Sequence, residues 1–245
     1  MSDKTRLDAL LVERGLISSR ERARAIILAG QVKVDGAVVS KAGTLIDAAA
    51  QVELVTPDHP YVGRGGIKLA HALDVFLVEV AGRRALDIGA STGGFTDVLL
   101  QRGAASVIAL DVGHGQLDWR LRNDPRVLVR EGVNARALAP ADLPHLVDIV
   151  VIDVSFISLA LIFPAVPALL APEGEVIALV KPQFEAGRQQ VGPRGIVTDH
   201  AVHEAVLEQV IAAAAANRLM WSNMTPSPIT GSMGNKEFFL HLRPV

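Results

Sequence analysis

From residue 85 onward the chain repeats one pattern, in which short apolar runs alternate with more polar stretches. Most of the runs are almost continuously hydrophobic, as parallel strands that are covered on both faces must be. Stretches of helical character lie between several of them, notably Thr96–Arg102 and Ala201–Asn217. This alternation predicts an α/β fold built on a doubly wound, mostly parallel sheet. The predicted strands are Ala85–Ile88, Val107–Leu110, Val127–Val129, Ile149–Ile152, Val176–Val180, Leu219–Ser222 and Phe238–Leu242.

The first 58 residues have a different character and predict a compact α+β unit. Leu7, Leu10 and Leu11 recur at helical spacing, and we expect that helix to end near Gly15. The Ser18-x-x-Glu21 pair has the form of a capping box, which predicts a second helix at about Ser19–Ala29, ending at Gly30. Short strands are predicted after it, with a hairpin turn between the first two. Those strands are Gln31–Val34, Ala37–Val39 and about Gln51–Val55, and the turn is Asp35-Gly36.

The segment Thr56–Pro60 separates the two patterns and has the composition of a linker, with two prolines in five residues. We therefore predict a small domain over residues 1–58 and a sheet domain over residues 85–245. Residues 59–84 are expected to hold the linker and the first helix of the larger domain.

Composition narrows the classes of protein that this chain can belong to. Half of the 245 residues are apolar and 20% are charged, so the chain can bury a sizeable core and is not generally disordered. The absence of cysteine excludes disulfide scaffolds, thiolate zinc sites and cysteine nucleophiles. The formal net charge is −2, so contact with nucleic acid must come from local clusters of basic residues.

No segment predicts a membrane span, an export signal or a metal site. The first ten residues lack the apolar core of a signal peptide. The longest apolar stretch, Ala160–Ala171, contains two prolines and is shorter than the ~18 residues that a spanning helix needs. His200 and His203 lie three residues apart without an evident third ligand, so we expect them to mark a helix start beside Asp199. We predict a cytoplasmic protein.

Basic residues cluster in the small domain. Arg20, Arg22 and Arg24 project from one predicted helix, and we expect Arg6 and Lys33 to lie nearby. A charge run of this kind is commonly no more than a solvated helix face. The functional alternative is a surface that contacts phosphates, since each guanidinium can bind a phosphate through two hydrogen bonds.

A glycine-rich turn follows the first strand of the larger domain. The sequence LDIGASTGGF at 86–95 allows the backbone to turn tightly and to approach a ligand closely. Asp111 ends the next strand, where a carboxylate can bind the hydroxyls of a ribose. Ser91 occupies the second glycine position of the dinucleotide motif, and the loop does not fit a Walker lysine motif either. Asp87 before the first glycine suits the amino-acid end of a methyl donor, since no pyrophosphate needs to be accommodated. S-adenosylmethionine is therefore favoured over a dinucleotide, and a purely structural turn is the third alternative. The candidate cofactor-binding residues are Asp87, Gly89, Ala90, Ser91, Thr92, Gly93, Gly94, Phe95, Asp111, Val112, Asn134 and Asp153.

Four charged residues stand beside predicted strands. Asp153 and Lys181 each end a strand, Glu237 opens the last strand, and Lys68 precedes the first. Each of them taken alone has the ordinary position of a charge at a strand end. Open α/β sheets bind their ligands at the carboxyl ends of the strands, however. Two lysines held by two carboxylates beside a cofactor loop form a site that can activate a weakly acidic hydroxyl.

These motifs resemble those of known families over the whole chain. The small domain resembles the S4-type RNA-binding domain, whose signature ends in a strand and an Asp-Gly turn, as Val32-Lys33-Val34-Asp35-Gly36 does here. The rest of the chain is similar to the FtsJ-like 2′-O-ribose methyltransferases. The combination resembles the TlyA family, often labelled hemolysin A. The blocks that carry this resemblance are YVGRGG at 61–66, DVGHGQL at 111–117 and KPQFE at 181–185.

The resemblance implies a function and assigns roles. The Lys-Asp-Lys-Glu tetrad of that family matches Lys68, Asp153, Lys181 and Glu237 here. It implies a Rossmann-like class I methyltransferase domain that uses S-adenosylmethionine to methylate cytidine riboses in ribosomal RNA. Ribosomal RNA or ribosomal subunits are then the expected partners of a monomer. Arg64 joins the five basic residues of the small domain as a candidate RNA contact.

Three other functions remain open at this point. A nicotinamide-dependent oxidoreductase would explain the glycine-rich turn and Asp111 but gives Lys68, Lys181 and Glu237 no joint role. An RNA-binding ribosome assembly factor with an inert methyltransferase site would explain the same motifs. A membrane-lytic protein, which the hemolysin label suggests, has no amphipathic basic segment to support it.

Overall fold

A computed structural model of the chain describes residues 4–28, 30–55 and 59–245. The chain forms two compact units, Met1–Pro60 and Tyr61–Val245. Each has its own hydrophobic core, and each is described by itself below.

The small unit consists of two helices and five very short strands. β1 pairs with β4, and β2 lies between β3 and β5, with all pairings antiparallel. Leu7, Leu11 and Ile27 are fully buried between the helices and the sheets. The elements are β1 (Lys4–Arg6), α1 (Leu7–Glu13), α2 (Arg20–Leu28), β2 (Val32–Val34), β3 (Ala37–Val38), β4 (Leu45–Asp47) and β5 (Val52–Leu54).

Both predicted helices and the hairpin of the small unit are confirmed, with two corrections. Gly15 follows α1 in a left-handed conformation (φ 67°), as expected for a helix end. The N-cap of α2 is Ser19 and not Ser18, because Ser19 Oγ accepts from the backbone N–H of Arg22 at 3.2 Å. The strands β1 and β4 were not predicted, since three-residue strands carry too little periodicity to be recognised. Ala29, the predicted end of α2, and residues 56–58 of the predicted linker lie outside the described residues.

One buried carboxylate organises the basic side chains of this unit. The Asp8 side chain has no exposed surface, whereas its three arginine partners are about half exposed. Arg6 donates to it at 2.9 and 3.0 Å, Arg24 at 3.1 Å and Arg20 at 3.4 Å. The Arg6 hydrogen bond is the main cause that holds the pKa of Asp8 far below its usual range. Three guanidinium groups therefore share one negative charge, and the cluster keeps an excess of positive charge.

The larger unit is a seven-stranded sheet with helices on both faces, which confirms the predicted fold class. The strand order is β11-β12-β10-β9-β6-β7-β8. The five strands from β10 to β8 are parallel, and β12 runs antiparallel to both of its neighbours. The elements are α3 (Gly65–Phe76), β6 (Arg84–Ile88), α4 (Gly94–Gln101), β7 (Ser106–Asp111), α5 (Trp119–Arg122), β8 (Val127–Glu131), β9 (Val147–Ile152), β10 (Leu170–Val180), α6 (Pro182–Glu185), α7 (His200–Ala216), β11 (Leu219–Pro226) and β12 (Phe238–Pro244).

Alternate residues of each central strand pack into two separate cores. In β9, Val150 and Ile152 belong to the core beneath α7, whereas Ile149 and Val151 belong to the core beneath α3 and α4. All four of these side chains are fully buried. A strand covered on both faces has no polar side, which is why its sequence is a continuous apolar run.

The seven predicted strands all exist, and each is longer than predicted, β10 and β11 by the largest margins. β10 begins at Leu170 and is irregular between Leu170 and Glu175, where Glu173 adopts a left-handed conformation. β11 continues to Pro226 along the edge of the sheet, where its side chains are mostly exposed. α7 begins at His200 with Asp199 as its N-cap, which confirms the helix start predicted there.

The direction of β12 decides which residues meet at the site. Parallel strands end at the same edge of a sheet, so the residues after β9 and β10 lie side by side. Because β12 is antiparallel to β10, its first residue lies at that same edge, and Phe238 pairs with Val180. The residues that flank these three strand ends are Asp153, Lys181 and Glu237.

Glycines bring a fourth element to this edge. A Cβ on Gly94, the first residue of α4, would lie 3.0 Å from the backbone N of Gly66 and 3.2 Å from Cα of Gly65. The N-termini of α3 and α4 therefore meet backbone to backbone, which only small residues permit. This contact fixes the first turn of α3, and Lys68 lies on that turn.

Asp87 is an ionisable group inside the core of the larger unit. It lies in β6 with its side chain fully buried, and Thr96 Oγ1 donates to its Oδ2 at 2.7 Å. Its Oδ1 has no hydrogen-bond partner within the described part of the chain. Burial raises the pKa of Asp87 to about 7, against the opposing hydrogen bond from Thr96 and with a smaller contribution from Asp153.

Within the described residues, no helix has the length and apolar character that a bilayer crossing requires.

We predict that Asp8→Ala destabilises the small unit by about 2 kcal/mol, since it removes charged hydrogen bonds and leaves three guanidinium groups to repel one another. The pKa of Asp8 lies below that of an unfolded aspartate, so this contribution is complete above about pH 4 and is lost in strong acid. Both tryptophans and the one tyrosine lie beyond residue 60, so hydrogen exchange of peptides from residues 4–55 in the full chain is the measurement. Glu13→Ala, an exposed change on the same helix, is the control, and equal exchange in the two variants would contradict the prediction.

We predict that Asp87→Asn flattens a fall in stability between about pH 4 and pH 7. The folded unit keeps the Asp87 proton up to about pH 7, whereas an unfolded aspartate loses it near pH 4. The folded state therefore binds more protons across this window, and the free energy of unfolding falls as the pH rises. The expected fall is a few kcal/mol, at ~1.4 kcal/mol for each pKa unit.

Denaturant unfolding followed by tryptophan fluorescence measures this effect for the larger unit alone, because Trp119 and Trp221 are the two tryptophans of the chain. The quantity to compare is the difference in unfolding free energy between wild type and Asp87→Asn at each pH. A difference that stays constant from about pH 4 to pH 7 would show that Asp87 has an ordinary pKa.

Candidate active site

Two lysine–carboxylate pairs lie at the carboxyl edge of the sheet. Lys68 Nζ on α3 donates to Glu237 Oε2 at 2.5 Å, although the two residues are 169 positions apart. Lys181 Nζ lies 2.5 Å from Asp153 Oδ1. All four side chains are largely buried, between 2% and 20% exposed. Burial of charge is tolerated here because each ammonium has a carboxylate beside it.

The two pairs open onto one cleft. Lys68, Asp153 and Lys181 all line a cavity of about 280 Å³, and Glu237 is joined to it through Lys68. Arg64 and the turn at 89–92 line the same cleft. The structure thus brings together the four charged residues that the sequence analysis singled out.

Ser155 is a further partner of Lys181. Its hydroxyl accepts from Lys181 Nζ at 2.9 Å, so the ammonium is held by a carboxylate and a hydroxyl together. Ser155 takes up one of the three hydrogens of the ammonium, and the contact with Asp153 is an ion pair whose geometry is not that of a hydrogen bond.

A second cavity of about 540 Å³ adjoins the cleft. Gly89, Ser91, Asp153 and Ser155 line both of them, so the two spaces share a wall. The remaining wall is largely apolar beside a few polar groups. It consists of Ile88, Leu110, Asp111, Val112, Gln116, Val133, Asn134, Ala135, Arg136, Val154, Phe156, Ile157 and Ile162.

Two glycines of the turn are required by close contacts within the protein. Gly89 has φ 88°, and a Cβ there would lie 2.4 Å from the backbone oxygen of Asp153. Gly93 has φ 97°, and a Cβ there would lie 2.3 Å from a methyl group of Leu121. The close approach that the sequence analysis attributed to a ligand is thus an approach of neighbouring protein atoms at these two positions.

Asp111 holds the turn in place from the next strand. Its Oδ2 accepts from the backbone N–H of Ser91 at 2.8 Å, and its Oδ1 accepts from that of Gly113 at 2.7 Å. Each carboxylate oxygen keeps a second lone pair. Asp111 also lines the larger cavity, so it can bind hydroxyl groups there while it orders the turn.

The donor and acceptor set of the larger cavity suits a ligand with hydroxyls, a flat apolar part and a positive charge. Asp111 and Asp153 line it, and buried Asp87, which interacts electrostatically with both, has an unpartnered oxygen. Arg136 is the one basic residue among the described lining residues. A pyrophosphate would meet net negative charge here, which disfavours a dinucleotide.

The other predicted cofactor residues lie around this space in different ways. Asn134 lines the larger cavity, and its side chain also caps a short turn by accepting from Arg136 N–H at 3.1 Å. Thr92, Gly94 and Phe95 line the cleft instead, and Phe95 is a core residue that packs on Phe239. Within the described residues, no three His, Asp or Glu side chains group closely enough to hold a metal ion.

The predicted RNA contacts divide between the two units. Arg6, Arg20 and Arg24 surround Asp8 in the small unit, where Arg22 donates to the backbone oxygen of His59. Lys33 lies in β2, and Arg64 lines the cleft of the larger unit.

A third cavity, of about 870 Å³, lies at the opposite edge of the sheet. The charged side chains that line it form a network without a catalytic arrangement. Glu175 there pairs with Arg83 at 2.6 Å and with His241 at 2.7 Å. The hydrogen bond with His241, together with Arg83, lowers the pKa of Glu175 to about 2. These groups satisfy one another, which is the pattern of a structural network.

The sequence analysis missed three contributors to the site. Ser155 and Gln116 line the cavities and bind Lys181 and Ser91 respectively. Glu185 binds the loop after β9 through Ser158 and Leu159. Gln116 and Glu185 stand within the sequence blocks that carry the family resemblance, which was the one available signal.

Comparisons with known proteins agree over nearly the whole chain. Residues 61–244 match the FtsJ-like methyltransferase family and residues 5–52 match the S4 domain. The 16S/23S rRNA (cytidine-2′-O)-methyltransferase TlyA of Mycobacterium tuberculosis is 48% identical over 99% of this chain and 91% of its own length.

Solved structures extend the comparison. A Streptococcus thermophilus protein named as a candidate hemolysin is 46% identical, with a TM-score of 0.79 over 100% of this chain and 90% of that one. An S-adenosylmethionine-dependent methyltransferase from Mesorhizobium loti is 16% identical, with a TM-score of 0.55 over 74% of this chain and 100% of that one. This last likeness shows the fold alone. The chain belongs to the FtsJ-like methyltransferase family, and within it to the TlyA proteins that carry an N-terminal S4 domain.

Proposed function

We propose that this chain is an S-adenosylmethionine-dependent methyltransferase that modifies the 2′-hydroxyl of a cytidine ribose in ribosomal RNA. It would act as a monomer in the cytoplasm. The observation that carries the proposal is the shared wall between the cleft of the two lysine–carboxylate pairs and the adjoining cavity. A methyl donor and a proton acceptor must lie on either side of one reacting oxygen, and this arrangement provides for both.

The choice of substrate is supported by the relatives. The Mycobacterium tuberculosis protein is named for cytidine 2′-O methylation of both ribosomal RNAs, and it is similar to this chain throughout both domains. The S4 domain supports RNA as the substrate class. The net positive charge of the arginine cluster around Asp8 provides a surface for phosphates.

Three carboxylates and the walls of the larger cavity would hold the cofactor. Asp111 would bind the ribose hydroxyls, and the apolar walls at Val112 and Val133 would flank the adenine. Asp153 supplies negative charge for a cationic ligand, and the buried Asp87 beside it has an unpartnered oxygen that can accept a hydrogen bond. When bound, S-adenosylmethionine supplies an electrophilic methyl group on a sulfonium.

Lys181 is the proposed base. In its neutral form, the amine would take up the proton of the ribose 2′-hydroxyl as the oxygen bonds to the methyl carbon and the bond from that carbon to sulfur breaks. Asp153 and Ser155 then hold the resulting ammonium at 2.5 and 2.9 Å from their oxygens. Lys68, kept in place by Glu237, donates to the ribose oxygens and orients them. Because the positive charge would move from the sulfonium to Lys181 and no new pair of opposite charges would form, positioning supplies much of the rate.

The rival functions explain less of the site. An oxidoreductase leaves both lysine–carboxylate pairs without a role, and its pyrophosphate would face the carboxylates of the larger cavity. An inert assembly factor does not explain why four charged groups are kept desolvated beside a ligand cavity, since such burial is costly.

We predict that Lys181→Ala reduces methyl transfer at least 100-fold and leaves S-adenosylmethionine affinity within about threefold of wild type. Lys181 lines the cleft and does not line the larger cavity, so its loss removes the base without removing a cofactor contact. The measurements are calorimetric titration of the cofactor and transfer of labelled methyl to ribosomal RNA, with the ribose mapped by its resistance to alkaline cleavage.

Titration of wild type with NAD is the control for the cofactor, and ribosomal RNA that already carries the methyl group is the control for the site. Tight NAD binding without S-adenosylmethionine binding would contradict the assignment of the cofactor. Methyl transfer by Lys181→Ala at the wild-type rate would contradict the role of Lys181.

We predict that Arg20→Ala weakens RNA binding several-fold and lowers the slope of log affinity against log salt by about one. Of the three arginines around Asp8, Arg20 is the most loosely held, at 3.4 Å, so its loss should cost little stability. Filter binding of ribosomal RNA at several salt concentrations measures both quantities. Arg126→Ala is the matched control, because Arg126 is paired with Asp124 at the edge of the sheet opposite the cleft. An equal loss of affinity in the two variants would assign the effect to overall charge.

A further inference from the structure

Glu185 is a buried carboxylate that the proposed mechanism does not use. It ends the short helix α6, which follows Lys181 directly. Burial raises the pKa of Glu185 above its ordinary value, and within the described residues no lysine, arginine or histidine pairs with it. Burying a carboxylate without a neighbouring cation costs free energy, so we expect the contacts that hold Glu185 in this position to have a role.

Both oxygens of Glu185 bind the loop that follows β9. Ser158 Oγ donates to Oε2 at 2.6 Å, and the backbone N–H of Leu159 donates to Oε1 at 2.8 Å. Ser158 in turn caps the turn at Leu159–Leu161 by accepting from Ala160 N–H at 3.1 Å. The carboxylate therefore fixes the far end of a loop whose near end is Asp153.

That loop needs to be held. Phe156 at its centre has φ 63°, a left-handed conformation that a bulky residue rarely adopts. Such a conformation persists only where the surrounding structure determines it. The ring of Phe156 also lies 4.8 Å from that of Phe184, the residue before Glu185. The loop therefore contacts the segment 181–185 at its start, centre and end, through Ser155, Phe156 and Ser158.

The same loop forms the shared wall of the site. Val154, Phe156 and Ile157 line the larger cavity, and Ser155 lines both the cavity and the cleft. A change at the anchored end, where Ser158 binds Glu185, therefore reaches the residues that bind Lys181 and those that would contact the cofactor.

We infer that Glu185 is a positioning residue, which locks the loop 153–159 against the segment 181–185 and so sets the wall between cofactor cavity and catalytic cleft. In its reference to a methyl donor, this inference rests on the proposed function. Glu185 touches no reacting atom and acts through Ser158 and Leu159.

The test compares Glu185→Ala with Glu185→Gln in the full chain, well below the unfolding temperature of each variant. Glu185→Ala removes both acceptors, so we expect S-adenosylmethionine affinity to fall at least fivefold and kcat for ribosomal RNA to fall roughly 10- to 100-fold. Glu185→Gln keeps an oxygen for Leu159 N–H and an amide that can donate to Ser158, so we expect both values within about threefold of wild type. Lys181→Ala differs from Glu185→Ala by losing turnover alone.

Hydrogen exchange supplies a readout that does not depend on activity. In Glu185→Ala, peptides within 154–161 should exchange faster, while the rest of residues 61–245 should be unchanged. Ser158→Ala should reproduce part of the effect, and the double variant should be no worse than Glu185→Ala, because the two groups act through one contact. Glu204→Ala, an exposed change on α7, is the control.

Three results would overturn the inference. Glu185→Ala with wild-type affinity and exchange would show that the loop does not depend on this carboxylate. Glu185→Gln as impaired as Glu185→Ala would show that the charge matters and not the geometry. Faster exchange throughout the larger unit would show a general loss of stability. If wild type itself methylates no ribosomal RNA, the proposed function fails, and the exchange measurement decides the role of Glu185 by itself.

Discussion

The reversal of one strand is the constraint on which the site depends. Asp153 and Lys181 lie at the same edge of the sheet because they follow β9 and β10, which are parallel neighbours. A seventh strand that ran parallel would have placed Glu237 at the opposite edge, since that residue precedes its strand. Because β12 is antiparallel to β10, Glu237 enters the site from the last segment of the chain and meets Lys68 from the first helix of the unit. The active arrangement therefore exists only when the whole sheet is assembled.

Opposite charges are paired at both functional surfaces, but the pairing serves different ends. In the cleft each lysine has its own carboxylate, so buried cations are held at fixed positions without a large desolvation cost. Around Asp8 one carboxylate serves three half-exposed arginines, so the cluster is held together and keeps its excess of positive charge. A chain with a formal net charge of −2 can in this way hold two buried cations in a cleft and keep a local cluster of positive charge at its surface.

The sequence predicted the larger unit well because its signal is long-range and redundant. The α/β class follows from the seven apolar runs, their order and the glycine-rich turn. Because parallel strands end at the same edge of a sheet, Asp153, Lys181 and Asp111 are then expected to lie together. The pairing of Lys68 with Glu237 could be expected only from the family resemblance, since nothing in their local sequences relates two residues that are 169 positions apart. The burial of Asp87 and Glu185 was not predicted, because both stand in segments whose polarity is typical of strand ends. The three-residue strands β1 and β4, and the cap at Ser19, depend on geometry finer than periodicity resolves.

The charge of the larger cavity bears on the direction of the proposed reaction. Asp111 and Asp153 line it and Asp87 lies buried beside them, so the cavity attracts a ligand in proportion to its positive charge. In the proposed reaction, methyl transfer would remove the sulfonium charge, so the same carboxylates would hold the product less strongly than the methyl donor. Lys181 would gain a proton, and Asp153 would stabilise its ammonium and be shared less with the cavity. The wall that contains Ser155 would thus link proton uptake in the cleft to weaker binding in the adjoining cavity, which would favour release of the product once the methyl group has been transferred.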